Sequence, residues 1–296
     1  MTVEKQTTFG WLVAATMFLG AAGASAFLGS FVLDILNKYE PIARVGAAVG
    51  TGLVLIDAVL LLSDLGTRAN FYRLFSNPSS WMSRGACILT VFIVFSLGYS
   101  LSAFNLFAWL PWSNATAVGK AIGAIAAIFS VMVVVYTGFL LGVVKRVPLW
   151  NTPALPLLFF FSGLGTGIAI LLLIAPFSRV ILGPEIVAAF HALMIVEIVT
   201  IVMQLLMLGA YLEIAIRGGV SVAESVRLLK TPLFIVGVII VGLMMPLALL
   251  SYGFAVSAVS ILSIAAGTAG ILLLIGGILL RYTIIRAAVY LPLYSV

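Results

Sequence analysis

Ionisable side chains are scarce in this sequence, and three of them stand inside long apolar runs. Glu197 lies in Ile195-Val196-Glu197-Ile198-Val199, Asp57 follows Leu53-Val54-Leu55-Ile56, and His191 precedes Glu197 by six residues. Carboxyl and imidazole groups exchange protons, and such groups are costly in hydrocarbon, so together they read as a proton path. Asp57 stands two helical turns before Asp64, so the two fall on one stripe and the path points towards the Asp64 end. His191 is turned to a different side of its helix from Glu197. A structural reading stands beside this one: Glu197, with Gln204 two turns on, hydrogen-bonds a neighbouring helix, and His191 is held at the interface.

A second stretch has different chemistry. Asp64 to Gly85, DLGTRANFYRLFSNPSSWMSRG, is the longest polar interruption in the chain and contains Arg68, Arg73 and Arg84 among Phe71, Tyr72 and Trp81. Its Pro78, two Asn and run of Ser exclude it from the hydrocarbon region, where irregular lipid-exposed backbone does not survive. The result is a basic, aromatic platform at one membrane face, which also fits an ordinary interfacial loop.

Composition says what must position these groups. The 296 residues are 64% hydrophobic and 8% charged, with a mean hydropathy of +1.29, which defines a polytopic membrane protein and leaves no hydrophilic block for a soluble domain. The net charge of +6 is no sign of nucleic acid, because the basic residues sit in short loops and helix ends. The single cysteine, Cys87, excludes an internal disulfide and a Cys-ligated iron–sulfur cluster in this protein. The single histidine excludes a haem with two axial imidazoles; counting leaves a His/Met pair open, but haem is not expected. No metal-ligand cluster, phosphate-binding loop or nucleophile elbow is visible.

The predicted architecture is all-α, with eight transmembrane helices over Phe9–Leu33, Ile42–Ser63, Ala86–Trp109, Ala117–Val144, Leu155–Ala175, Glu185–Leu212, Leu233–Tyr252 and Val256–Arg281. Each spans roughly 30 Å at about 1.5 Å per residue. Ala24-Ser25-Ala26 looks like a signal-peptide cleavage site, but the apolar run continues past it and is read as a retained span. Glu197 then lies roughly 18 Å into its helix, near the midplane. Glycines at Gly20 and Gly23 in helix one and at Gly163, Gly165 and Gly167 in helix five suggest a weak parallel repeat. On that reading residues 1–146 and 147–296 each form a four-helix bundle.

An even number of spans puts both termini on one face. That face carries Lys5, Arg68, Arg73, Arg84, Lys145, Arg146, Arg217, Arg227, Lys230, Arg281 and Arg286; the other carries Lys38, Arg44, Lys120 and Arg179. The positive-inside rule makes the richer face cytoplasmic.

Five motifs in order resemble the polysulfide-reductase membrane subunit family, the NrfD type. They are Asp64-Leu65-Gly66; Asn77-Pro78 with Trp81-Met82-Ser83-Arg84-Gly85; Tyr136-Thr137-Gly138; Trp150-Asn151-Thr152-Pro153-Ala154-Leu155-Pro156-Leu157-Leu158-Phe159; and the run around Glu197. The resemblance covers essentially the whole sequence. It implies a quinone-reactive anchor, here for menaquinone, that serves a ferredoxin-like iron–sulfur subunit and a molybdopterin catalytic subunit holding the substrate chemistry. It implies Tyr136 as hydrogen-bond donor to the quinone headgroup, Asp64 as proton acceptor, Arg84 orienting Asp64 or the partner, and Trp150 as an aromatic wall. Arg68, Arg73 and Trp81 are then docking residues, and Asp57, Glu197 and His191 the proton path. The sequence departs from the family where some members carry a polar Asn and His on helix one: the comparable positions are near Leu12 and Ala15, with Thr16 the nearest polar group. In sulfur-reducing relatives the motif face points out of the cytoplasm, against the positive-inside count. The docking of an acidic partner explains a basic face equally well, and the reading leans to the extracytoplasmic orientation. Two rivals remain: an anchor with a decayed quinone site, and a proton-coupled secondary transporter built on the repeat and Glu197.

Overall fold

A computed structural model describes residues 6, 9–64, 80–217, 220–256 and 258–290. The elements are helices: α1 (Trp11–Ile35), α2 (Glu40–Asp64), α3 (Trp81–Leu101), α4 (Ala117–Gly142), α5 (Ala154–Ile174), the single turn α6 (Arg179–Leu182), α7 (Ile186–Arg217), α8 (Val220–Leu229), a π-helical run Leu233–Met244 continued by α9 (Met245–Phe254), and α10 (Val259–Arg286). Among the described residues, seven helical stretches are long and apolar enough to cross a membrane, and one of them, Ala154–Arg217, has 64 residues. That stretch breaks into short turns over Ala175–Glu185, and its halves α5 and α7 pack against each other. It therefore makes two crossings, and the protein is an all-helical, multi-pass membrane protein with eight crossings among the described residues.

Local chemistry sets the turns. Between α1 and α2, Asn37 and Tyr39 take positive φ of 52° and 50°, and the amides of Asn37 and Lys38 close on Asp34 and Leu33 carbonyls; asparagine tolerates that conformation. Thr116 caps α4, its hydroxyl accepting from the Gly119 amide at 3.1 Å. Arg217 reaches back to Glu213 at 2.5 Å on the last turn of α7.

α1 and α5 stand side by side at the centre. α1 also packs on α2, α4 and α10, and α5 on α4, α7 and α10. The first half buries an aromatic cluster of Phe27, Phe31, Phe92 and Tyr99 in edge-to-face pairs 5.4–5.6 Å apart. The Tyr99 hydroxyl donates to Asp34 at 2.6 Å.

Four boundaries differ from the sequence expectation. α3 starts at Trp81, so Trp81, Arg84 and Gly85 are helical rather than loop, with Ser80 at the N-cap position. It also ends at Leu101, because Trp112 Nε1 donates to the Gly98 carbonyl and folds the following segment back. α7 runs five residues past Leu212, to Arg217. α10 runs on to Arg286, with no breaker in Arg281-Tyr282-Thr283-Ile284-Ile285. Arg281 is fully buried and so leaves the positive-inside count, reducing eleven to ten against four. The amphipathic helix α8, which lies against the turn Pro148–Trp150, was not expected from the sequence.

Candidate functional site

A cavity of about 490 Å³ lies within α1–α4. Its walls are apolar: Val13 and Met17 from α1, Leu61 from α2, Ile88 and Ile93 from α3, Val133 from α4. Three threonines line it, but each hydroxyl is committed to its own helix: Thr16 to Val13, Thr90 to Ala86, Thr137 to Val134. Their hydroxyls keep only acceptor capacity, and the Asp57 carboxyl and the Tyr136 hydroxyl are the other side-chain polar groups that line it among the described residues.

Two glycines make room for them. A β-carbon at Gly20 of α1 would sit 2.6 Å from Asp57 Oδ2, so the carboxyl group occupies the space a side chain would take. Asp57 is buried, and its Oδ1 has no hydrogen-bond partner among the described residues. A β-carbon at Gly85 of α3 would overlap Tyr136 Cζ and the hydroxyl oxygen, so the ring lies directly on the α3 backbone. On its α2–α3 side the cavity is bordered by Leu61, Leu62 and Met82, 43%, 42% and 59% exposed. This side therefore opens sideways to the surface that lipid covers.

The structure thus joins Tyr136 to Asp57, two residues that sequence reasoning had assigned to different tasks. Asp64 ends α2 two turns further on; its side chain, with Arg68 and Arg73, lies outside the described residues. Arg84 is exposed, its guanidinium 5.3 Å from the Trp81 ring centroid, and Trp81 stacks on Phe139 of α4 at 5.7 Å. Trp150 is not brought to the cavity: it is buried, its Nε1 donating to the Ile284 carbonyl of α10 at 3.2 Å and its ring edge-on to Phe9. A residue before α5 thus faces α10, and the Pro148–Trp150 turn that holds it packs against α8. Glu197 is fully buried on α7, and His191 packs on Phe254 of α9 at 5.0 Å. Neither lines the cavity. From α1 the cavity is lined by Val13, Thr16, Met17 and Gly20, and Asp57 reaches over from α2 at Gly20.

Sequence reasoning missed Gly20 and Gly85 as the seats of these groups. It also missed Arg281; the unbroken helical run to Arg286 was the available signal.

Fold and site together define a polytopic all-helical membrane protein with a lipid-facing cavity lined by a carboxyl and a phenol. The protein belongs to the family Polysulphide reductase, NrfD, which matches residues 2–292. It is 28% identical over 186 residues to the C subunit of the polysulfide reductase of Wolinella succinogenes, covering 57% of this sequence and 59% of that one. It is 29% identical over 193 residues to the protein NrfD of Escherichia coli K12, covering 57% and 60%. It is 26% identical over 264 residues to the NrfD homologue of Haemophilus influenzae, covering 80% and 81%. The aligned region spans about three-fifths of the first two relatives.

Proposed function

We propose that this protein is the quinone-reactive membrane subunit of a respiratory oxidoreductase, exchanging electrons and protons with menaquinone in the α1–α4 cavity and passing electrons to a docked iron–sulfur subunit. The observation that carries the reading is the cavity itself: apolar walls open to lipid, lined also by a phenol and by a carboxyl oxygen without a hydrogen-bond partner among the described residues. A quinol supplies two electrons and two protons on oxidation, and an isoprenoid tail needs a lateral exit into lipid. The Tyr136 hydroxyl would donate to a headgroup oxygen, and Asp57 would exchange protons with the headgroup. Asp64, two turns nearer the membrane face, would be the next acceptor. The apolar walls exclude water from the headgroup, so its protons travel by these side chains.

Electron transfer continues, on this reading, into a ferredoxin-like subunit docked on the face of Trp81, Arg84, Arg68 and Arg73, and then to a molybdopterin subunit that holds the substrate chemistry. The motif-bearing face points out of the cytoplasmic membrane, and the ten cations of that face serve the acidic partner. Residues 1–146 form the quinone-bearing bundle and 147–296 its parallel repeat, with α1 and α5 equivalent at the centre.

The test follows iron–sulfur reduction by a reduced menaquinone analogue in the mildly solubilised complex. Tyr136→Phe is expected to slow it by roughly 10²-fold, the scale of one lost transition-state donor. An unchanged rate would keep the family and discard this pocket; no quinol reactivity and no iron–sulfur protein would favour a transporter.

Glu197 continues the proton path from Asp57 on this reading, with His191 towards the far end of α7. Asp57→Asn with Glu197→Gln is expected to lower quinol turnover about 10²-fold or more, the scale of a lost general acid–base group. Native turnover and native proton pumping in that double variant would end the relay reading.

A further inference from the structure

The second half of the molecule carries a groove that quinone chemistry does not use. It measures about 410 Å³, lies where the last turn of α7 meets α8, and is lined by Ile216, Val226, Arg227 and Lys230. The sequence of α8 sets this mixed lining. Val222, Val226 and Leu229 are buried and stand three or four residues apart, so one face of α8 turns inward. Arg227 and Lys230 are three apart and exposed. The Lys230 amide still bonds the Val226 carbonyl at 3.0 Å, so both cations flank the buried face on one side.

Among the described residues no carboxylate lines the groove. The acids nearest in sequence are engaged: Glu213 accepts from Arg217 at 2.5 Å, and Glu224 stands 3.8 Å from Arg227. The Arg227 side chain is 83% exposed, and so long and exposed a pair contributes little and leaves the guanidinium free to turn. Lys230 forms no ion pair among the described residues.

The groove also sits at the membrane boundary. Ile216 is one residue from the end of the α7 span, and the next apolar run starts at Leu233, three residues after Lys230. Further into the membrane, Leu206, Val202, Val199 and Ile195 follow Ile216 on one side of α7 at helical spacing, and all are exposed. Gly209 stands between Ile216 and Leu206, and nothing lies within 4 Å of a β-carbon placed there, so the strip continues unobstructed from the groove. A pair of cations thus opens onto an apolar track. An anionic phospholipid matches both parts, its phosphate the cations and its acyl chain the track. A small free anion matches the cations alone, and an acidic protein surface does not follow α7 into hydrocarbon.

We propose that this groove holds the headgroup of an anionic phospholipid, with its phosphate between Arg227 and Lys230 and one acyl chain along the exposed side of α7. The site stands independently of the quinone reading. It takes two of the ten cations on that face and leaves eight for the docked partner.

The test is native mass spectrometry of the detergent-solubilised complex, titrated with dioleoyl phosphatidylglycerol, dioleoyl phosphatidylcholine or inorganic phosphate. The native protein is compared with three double variants. Arg227→Gln with Lys230→Gln removes both groove cations, and Arg227→Lys with Lys230→Arg keeps both charges. Lys145→Gln with Arg286→Gln removes two cations elsewhere on the same face. The glutamine groove variant is expected to bind phosphatidylglycerol about 30-fold more weakly than native, the scale of two cations at an anionic headgroup, and the other two variants to stay within about threefold. Equal binding by the native protein and the glutamine groove variant overturns the site. An equal loss in the Lys145 and Arg286 variant overturns it too, as does native protein that takes phosphatidylcholine as tightly. Displacement of bound phosphatidylglycerol by millimolar phosphate overturns the lipid in favour of a small anion. Loss of the iron–sulfur subunit with lipid binding unchanged assigns the two cations to the partner instead.

Discussion

Gly85→Ala is expected to cut quinol-driven electron transfer by about 10- to 100-fold while leaving the protein folded, the scale of a displacement of about 1 Å at a reacting centre. The argument is steric and local. The added methyl would overlap the Cζ and hydroxyl of Tyr136, which is the far end of a flexible side chain rather than backbone. The ring can swing aside, so the helices stay where they are and the cost in stability is small. The hydroxyl, however, leaves the position it holds in the cavity that Asp57 also lines. The measurement is the iron–sulfur reduction assay together with a thermal unfolding scan. Combining Gly85→Ala with Tyr136→Phe separates this account from general damage: both changes remove the same hydroxyl from the same place, so the double variant is expected to be no slower than the slower single. A native rate in Gly85→Ala would mean that the seat of Tyr136 on α3 is not needed for the chemistry.

The second large effect is on the fold. Gly167 of α5 faces α1 so closely that a β-carbon would lie 2.5 Å from the Ser25 carbonyl carbon and 2.6 Å from the Ala26 nitrogen. Here the neighbour is backbone, and no rotamer can relieve the overlap. Gly167→Val forces α1 and α5 apart along the central seam, where membrane helices depend on small residues for close packing. Overpacking of a well-filled core costs about 1–3 kcal/mol even where side chains can adjust, so the loss here is expected to be at or above that range. The readout is the yield of monodisperse protein after a heat step in detergent. Gly209→Val on α7 is the control, because nothing lies within 4 Å of the β-carbon it would add; its yield is expected to match the native protein. Equal yields from the two variants would show that the α1–α5 contact is not close in the membrane.

How much of this was legible beforehand differs by level. The family motifs, the spans and the membrane class were all readable, since each rests on runs of adjacent residues. Tyr136 was named as a quinone group, but its companion was taken to be Asp64, because sequence order places both near the same membrane face. The Asp64 side chain lies outside the described residues; Asp57 lines the cavity with Tyr136, through the gap left at Gly20. Trp150 was expected at the headgroup from its place before α5, but its indole bonds the Ile284 carbonyl of α10. Arg281 was counted as a surface cation because the apolar run stopped there, although the helix continues for another turn.

The sequence by itself determined that this is an all-helical membrane protein of eight spans, with Glu197 and Asp57 inside them. A bilayer fixes the length and polarity of each segment, and both are properties of consecutive residues. Which side of each helix looks inward was decided only by the tertiary structure. In water an amphipathic stripe announces the buried face; in lipid both faces are apolar, so the rotation of a helix leaves little trace in its composition. Contacts such as Asp57 on Gly20, Tyr136 on Gly85 and Arg281 on Ser162 come from packing between segments far apart in the sequence. They depend on where a missing side chain allows two helices to meet.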